Sequence, residues 1–274
     1  MLLKKAIICL FFLSACTPYY RYKLIDAPKN TKALDLSSSG YIVPPDDIFA
    51  FPKLEDINLS NSKHLDWSAT IEKLSKIEKL KTLILNDNPD INLKTLIIDL
   101  RKIKNLKYLF LAGNKITILP NEIIDLSLLE TLDLSNNPEI NISDAVDKLT
   151  KLKSLDFIYL QNCNLKELPS NILQIESLAG LNLFGNGLDS LPNLSSFKNF
   201  NSLDISGNMF KSIPNDLTKI RRRMNFYAAS NQITNVPDGI LYMKFQTFNL
   251  TGNPLNLAAR EKIRRLVNAR YKWY

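Results

Sequence analysis

The chain has 274 residues, of which 45% are hydrophobic and 23% charged, a composition close to the average of a soluble globular chain. It excludes disorder throughout, a collagen-like fibre and a polytopic membrane protein. With 8 Gly and 3 Cys there is little material for a glycine-rich phosphate cradle or a clustered thiolate metal site, and 35 basic against 27 acidic residues leave a modest net charge of +8, compatible with an anionic surface without establishing one.

At the N-terminus Lys4 and Lys5 precede an apolar stretch over residues 6–13, followed by Ser14, Ala15 and Cys16. The stretch is far shorter than the roughly 20 residues a helix needs to cross a bilayer, so it reads as a secretory signal. Leu13-Ser14-Ala15-Cys16 resembles the lipobox of bacterial lipoproteins. The resemblance implies that Cys16 carries diacylglycerol and becomes the first mature residue once residues 1–15 are removed; a plain signal peptide with an incidental Cys is the alternative. Each buried methylene holds about 0.8 kcal/mol, so two or three acyl chains on one residue make a durable anchor, and the mature chain is expected to be tethered to the membrane. Residues 16–30 show no clear period and read as that lipidated Cys and its tether. Cys9 leaves with the signal and Cys16 is blocked, so Cys163 remains alone and no intrachain disulfide is expected. Thr17 stands where some bacteria place an Asp to retain lipoproteins at the inner membrane. A cell-envelope location at the outer membrane is therefore expected.

Residues 31–255 are repetitive. The template LxxLxLxxNxL fits Leu106, Leu109, Leu111, Asn114 and Ile116, and again Leu178, Leu181, Leu183, Asn186 and Leu188. These residues resemble the leucine-rich repeat family. First template positions fall at Thr31, Leu54, Leu80, Leu106, Leu129, Leu155, Leu178, Phe200, Arg223 and Phe245, giving ten coils with steps of 22, 23 or 26 residues. All lie in the family's window of roughly 20–29 residues. The resemblance implies an α/β solenoid, a curved horseshoe of about ten coils, with a parallel β-sheet on the concave face and short helices or 3₁₀ turns on the convex face.

The shorter coils carry a Leu-Pro-like step at Leu119-Pro120, Leu168-Pro169, Leu191-Pro192, Ile213-Pro214 and Val236-Pro237. Proline there fixes φ and predicts a short 3₁₀ turn. The longer coils lack it and place Ile71, Leu74 and Ile77, then Ile97, Leu100 and Ile103, then Val146, Leu149 and Leu152 at three-residue spacing. That spacing predicts an α-helix in each, with an Asn or Ser such as Ser143 as cap. The ninth template position reads Asn in seven coils, from Asn88 to Asn253, where a buried amide can pair backbone groups left open by the turn. Ser39, Ser62 and Cys163 depart from it, so the first, second and sixth coils are expected to be less tightly cross-linked.

After Leu255 the period stops, and residues 256–274 predict an amphipathic capping helix with Leu257, Ile263 and Leu266 on its buried side. Its basic residues, among them Arg260, Lys262, Arg264, Arg265 and Lys272, read as a solvated face or as a patch against anionic lipid or polysaccharide.

In a strand the neighbours of inward residues point outward, so template positions three, five and seven should line the concave wall. There the sequence places Tyr108, Phe110, Phe157, Tyr159, Phe184 and Tyr227, with Asp133, Asn182 and Asp204 beside them. Aromatic residues with a polar rim suit a protein or peptide partner. Stacking of carbohydrate or another envelope polymer on the same rings is the alternative, and mutual covering across coils the bland one. No nucleic-acid partner, metal or cofactor is expected.

The single His, His64, falls in the turn after the second strand, and neither HExxH, GxSxG nor GxxxxGK occurs. Asp133 and Asp204 lie three coils apart, roughly 15 Å at the usual strand spacing, which is too far for a paired-carboxylate hydrolase. No catalytic residue is nominated and no enzyme is expected.

Overall fold

The computed structural model describes Leu24 and residues 27–270, with side chains through residue 266. Cys16, the signal segment and Lys272 lie outside the described residues. Ten strands form one sheet in strict chain order. They are β1 (Ala33–Asp35), β2 (Asp56–Asn58), β3 (Thr82–Ile84), β4 (Tyr108–Phe110), β5 (Thr131–Asp133), β6 (Phe157–Tyr159), β7 (Gly180–Asn182), β8 (Ser202–Asp204), β9 (Arg223–Tyr227) and β10 (Lys244–Asn249). Every neighbouring pair is parallel. Leu109, Leu132, Ile158 and Leu181 stand side by side in register, and all are buried.

No coil covers its own apolar side, so stacking forms the core. Each buried Leu contributes roughly 1.5–3 kcal/mol. The core runs unbroken from Leu34 to Ala259. Strands repeat every ~4.8 Å, whereas the outer elements need more width, and this places the sheet on the inner side of the curve.

The longer coils hold α1 (Trp67–Leu74), α2 (Leu93–Leu100) and α3 (Ile142–Leu149). The Pro-containing coils hold 3₁₀ turns such as Asn121–Asp125 and Ser170–Gln174, each opening directly after its proline. The helices start on Asp66, Asn92 and Asn141, whose side chains accept from the N–H three residues on, at 3.0, 3.1 and 3.1 Å. Ser143 is therefore not a cap; it lies inside α3, because Asn141 already satisfies the first-turn donor.

The position-nine asparagines bond as expected. Asn137 Nδ2 donates to Leu111 O of the preceding coil at 3.2 Å and to Leu134 O of its own at 2.8 Å, while its Oδ1 accepts from the N–H groups of Asn114 and Ile116. Cys163 takes the same place with longer reach, Sγ to Leu134 O at 3.3 Å, and Ser62 Oγ donates within its own coil to Ser60 O. One further rule governs the turn. Position eight has positive φ in all ten coils, including Ser38, Asn61, Asp87 and Gly113. That conformation turns the chain out of the sheet and favours Gly, Asn and Asp.

Two ends differ from expectation. In the ninth coil Arg223 is exposed and Met224 is buried in its place, because β9 and β10 are longer and the register slips between Phe245 and Thr247. The Phe226 ring stacks on Phe245 and on Phe248, which are tilted against each other, and the three fill that end. The cap is α4 (Leu257–Arg270), but Leu257 is 85% exposed and Ala259 is fully buried instead. Ala259, Ile263 and Leu266 follow the i, i+4, i+7 stripe that faces the core, and Leu257 lies off it. Lys262 pairs with Asp238 of the coil beneath, and Arg264 and Arg265 pair with Glu261. At the other end Leu24 and Ala27, assigned to the tether, pack against the core. No helix among the described residues is long and apolar enough to cross a membrane.

Candidate functional site

The inner wall is built from three rows running across the strands. Register aligns Phe110, Asp133, Tyr159, Asn182, Asp204 and Tyr227 in one row. A second row aligns Tyr108, Thr131, Phe157, Gly180, Ser202 and Asn225. Phe184 belongs to the third row, just beyond β7. All nine wall residues singled out from the sequence therefore share one surface.

They do not share one exposure. Phe184 is 43% exposed, and Tyr108, Phe157, Tyr227, Asn182 and Asp204 are half-buried. Phe110 and Tyr159, expected to be open contact residues, are buried at 8% and 4% exposure, and Asp133 between them is fully buried. Position in a row sets the direction of a side chain, but the size of its neighbours sets its coverage: two large rings flanking a short carboxylate in adjacent strands close over it. Of the nine, those left accessible are Tyr108 on β4 and, between β6 and β9, Phe157, Asn182, Phe184, Asp204 and Tyr227. Tyr108 also has its hydroxyl engaged, donating to Glu130 Oε2 at 3.1 Å beside the Lys107–Glu130 ion pair.

Gly180, which the sequence does not single out, shapes this stretch. A Cβ there would collide with the Phe157 ring, so the ring lies across the strand and uses the room the glycine leaves. Beside it is a shallow depression lined by Phe157, Tyr159, Asn182, Ser202 and Asp204. The signal in the sequence was a Gly in a row whose other members carry side chains, which is weak without knowing where the neighbouring ring leans.

The charge on the wall has one sign. Across all ten coils the three rows hold Asp35, Asp56, Asp133 and Asp204 and neither Lys, Arg nor His, although the chain as a whole is basic. Burial pushes the carboxyls of Asp56, Asp133 and Asp204 above the ordinary Asp value, opposed in the last two by hydrogen bonds from Ser135 and Ser206. Asp133 Oδ1 accepts from Ser135 N–H at 2.9 Å, while its Oδ2 is buried without a hydrogen-bond partner.

Groups suited to covalent or acid–base chemistry are not assembled here. Asp133 and Asp204 are three strands apart in register. Cys163 is buried, and burial pushes its thiol up to about 11. His64 is exposed in its turn. Among the described residues no cluster of three or more His, Cys, Asp or Glu could hold a metal ion.

A family model described as Leucine Rich Repeat matches residues 105–126, the coil that carries β4. No curated protein matches the chain in sequence. Among solved structures, the chain is similar to one in the Toll–Spätzle complex of Drosophila, at 22% identity over 82% of this chain and 30% of that one, with a TM-score of 0.59. It is similar to an internalin (inlF) from Listeria monocytogenes at 20% identity, over 89% of this chain and 84% of that one, with a TM-score of 0.56. It is also similar to a chain in the TLR13–ssRNA13 complex at 19% identity, over 89% of this chain and 38% of that one, with a TM-score of 0.61. The chain thus spans about a third of the Toll-complex and TLR13-complex chains it matches. At these identities the likeness concerns architecture. One coil thus matches the leucine-rich repeat model, and the chain as a whole shares the coil-by-coil solenoid architecture of these structures.

Proposed function

We propose that this is a non-catalytic binding protein, held in the cell envelope by lipid on Cys16, whose concave wall between β6 and β9 takes a protein or peptide partner. One observation carries the reading: half-buried Phe157 and Tyr227 and exposed Phe184 stand on one rigid sheet face with Asn182 and Asp204 between them. Aromatic anchors with few rotors to freeze, set in a polar surround, are what tight protein interfaces use.

Two of the similar structures are complexes, one with the protein Spätzle and one with ssRNA13. A wall free of Lys and Arg favours the former kind of partner, because nucleic-acid binding rests largely on neutralising phosphates. The spacing of the wall carboxylates, the buried thiol of Cys163 and the exposed turn position of His64 support the absence of catalysis.

The test is capture from detergent-solubilised envelope with the full chain and with a Phe184→Ala, Tyr227→Ala double variant of unchanged melting temperature. A stoichiometric protein band with the parent chain, lost in the variant, is the expected result. Retention by polysaccharide resin alone, or capture indifferent to the two substitutions, would favour the polymer reading or another surface. The intact mass of the mature N-terminus tests the anchor: a diacylated Cys16 is expected, and an unmodified N-terminus at any other residue contradicts it.

A further inference from the structure

All strands run parallel in chain order, so their N-terminal ends share one flank of the solenoid and their C-terminal ends the other. The two flanks differ in charge. Where the chain returns from a convex element to the next strand, an exposed basic residue stands one or two places before the first template position: Lys53, Lys79, Lys104, Lys153, Lys198 and Arg222. None of these has an ion pair among the described residues. The row skips the return to β5, and there Leu128 is 46% exposed. Glu55 and Glu130 on this flank are paired with Lys81 and Lys107, which leaves Glu78 and Glu176 as its exposed carboxylates. The opposite flank, where the chain leaves the strands, is mixed: Lys115, Lys166 and Lys211 lie among Asp90, Glu139 and Asp189. Residues 27–32 lead into β1, so the expected tether joins the domain on the basic flank.

We propose that the basic flank is a membrane-docking surface, lying on anionic phospholipid with the row from Lys53 to Arg222 over the headgroup phosphates and Leu128 in the interface. The inference rests on the lipid-anchor reading above and names the side of the solenoid that faces the bilayer.

Charge and chain path select the occupant together. Cys16 stands eight residues before Leu24, and a fully extended chain of that length spans at most about 29 Å. Lipid on Cys16 therefore keeps this end of the flank close to the headgroups. At the usual strand spacing the row from the second to the ninth coil runs over roughly 34 Å, an extended footprint that suits a surface better than a small anion. Each basic residue beside an anionic membrane raises binding roughly fivefold. Lysine stems lie along apolar surface while their ammonium groups reach phosphate, and basic residues around an exposed Leu are the pattern of interfacial binding. The concave wall, whose charges are all Asp, is repelled by the same lipid and stays open to a partner.

The experiment reads which side faces a bilayer. The full-length chain carrying Leu128→Trp, or Ile118→Trp on the segment leaving β4, is reconstituted on vesicles of phosphatidylcholine and phosphatidylglycerol with brominated acyl chains, which quench tryptophan at contact. Emission is taken as the difference from the parent chain, which removes Trp67 and Trp273. Quenching of Leu128→Trp and none of Ile118→Trp is expected, with the effect lost on phosphatidylcholine alone. Adding Lys104→Glu, Lys153→Glu and Lys198→Glu at unchanged melting temperature should lower the quenched population by roughly fivefold for each residue. The same charge change on the opposite flank, Lys115→Glu, Lys166→Glu and Lys211→Glu, should leave it unchanged. Equal quenching at both tryptophans, none at Leu128→Trp, or quenching indifferent to lipid charge or to the first three reversals would overturn the proposal. So would binding of a single-stranded oligonucleotide through those three lysines with no quenching on vesicles, which would assign the flank to nucleic acid. An N-terminal mass without lipid removes the anchor alone, and the quenching comparison still decides the flank, because it reads orientation and not what holds the chain there.

Discussion

The Phe157 ring occupies the space that a Cβ on residue 180 would need. Gly180 does not have positive φ, so its backbone accepts other residues and the constraint comes from the ring. Gly180 is buried, so Gly180→Ala should force Phe157 to shift, reduce partner capture and cost about 1–3 kcal/mol of stability through crowding. Thermal melting and capture measured together check this. Unchanged capture would show that the placement of the Phe157 ring does not matter to the partner.

The asparagine ladder should account for a large share of stability. Asn137→Ala removes the acceptor used by Asn114 and Ile116 N–H and the donor shared by Leu111 O, Leu134 O and Ser135 O. Each buried group left unpaired costs about 1–3 kcal/mol, so a loss of several kcal/mol in equilibrium denaturation is expected. Cys163→Asn should do the opposite, replacing thiol contacts at 3.3 and 3.4 Å with amide hydrogen bonds and stabilising the chain by about 1 kcal/mol.

Cys163 itself should be inert. With its thiol pushed up to about 11 by burial, almost no thiolate is present at pH 8. Iodoacetamide should leave the Cys163 peptide unmodified in the native chain and label it in denaturant, as read by peptide mass mapping. Rapid native labelling would contradict the buried ladder role.

Asp133 provides a pH test with a definite sign. Its folded carboxyl sits above the ordinary Asp value, so the folded state holds its proton longer than the unfolded state does. Stability from this group is then full below about pH 3.9 and declines as pH rises to the folded value, after which it is level. Asp133→Asn keeps an acceptor for Ser135 N–H and removes the charge. The difference in melting temperature between variant and parent should be near zero at acid pH and positive at neutral pH. A difference that does not change with pH would show that the carboxyl is ionised freely in the fold.

The stacked coils were legible because the period is long and redundant: ten copies fix which residues share a row, and Leu109, Leu132 and Ile158 meet in register as that period requires. Position nine and the Pro steps were equally plain, since each residue type has one physical reason to be there. The closing helix was misread at Leu257 because the phase of a single short helix rests on a few residues, and Ala259 gives too weak an apolar signal to outvote a Leu.

The wall was legible as a row and illegible as a surface. Tyr159 and Asp204 point the same way, yet Tyr159 is buried and Asp204 is half open. What separates them is the neighbour on each side, a property of three strands together that one repeat does not contain. Gly180 passed unnoticed for the same reason: its role belongs to the ring of Phe157, one coil earlier.

Hydroxyl-radical footprinting of the full chain with and without its captured partner tests the binding wall most directly. Bound partner should protect Phe157, Phe184 and Tyr227 from oxidation and leave Ile118 and Tyr242, exposed on other surfaces at 61% and 76%, as reactive as before. Protection at Ile118 or Tyr242 with Phe184 still fully oxidised would place the partner on the outside of the solenoid and contradict the account.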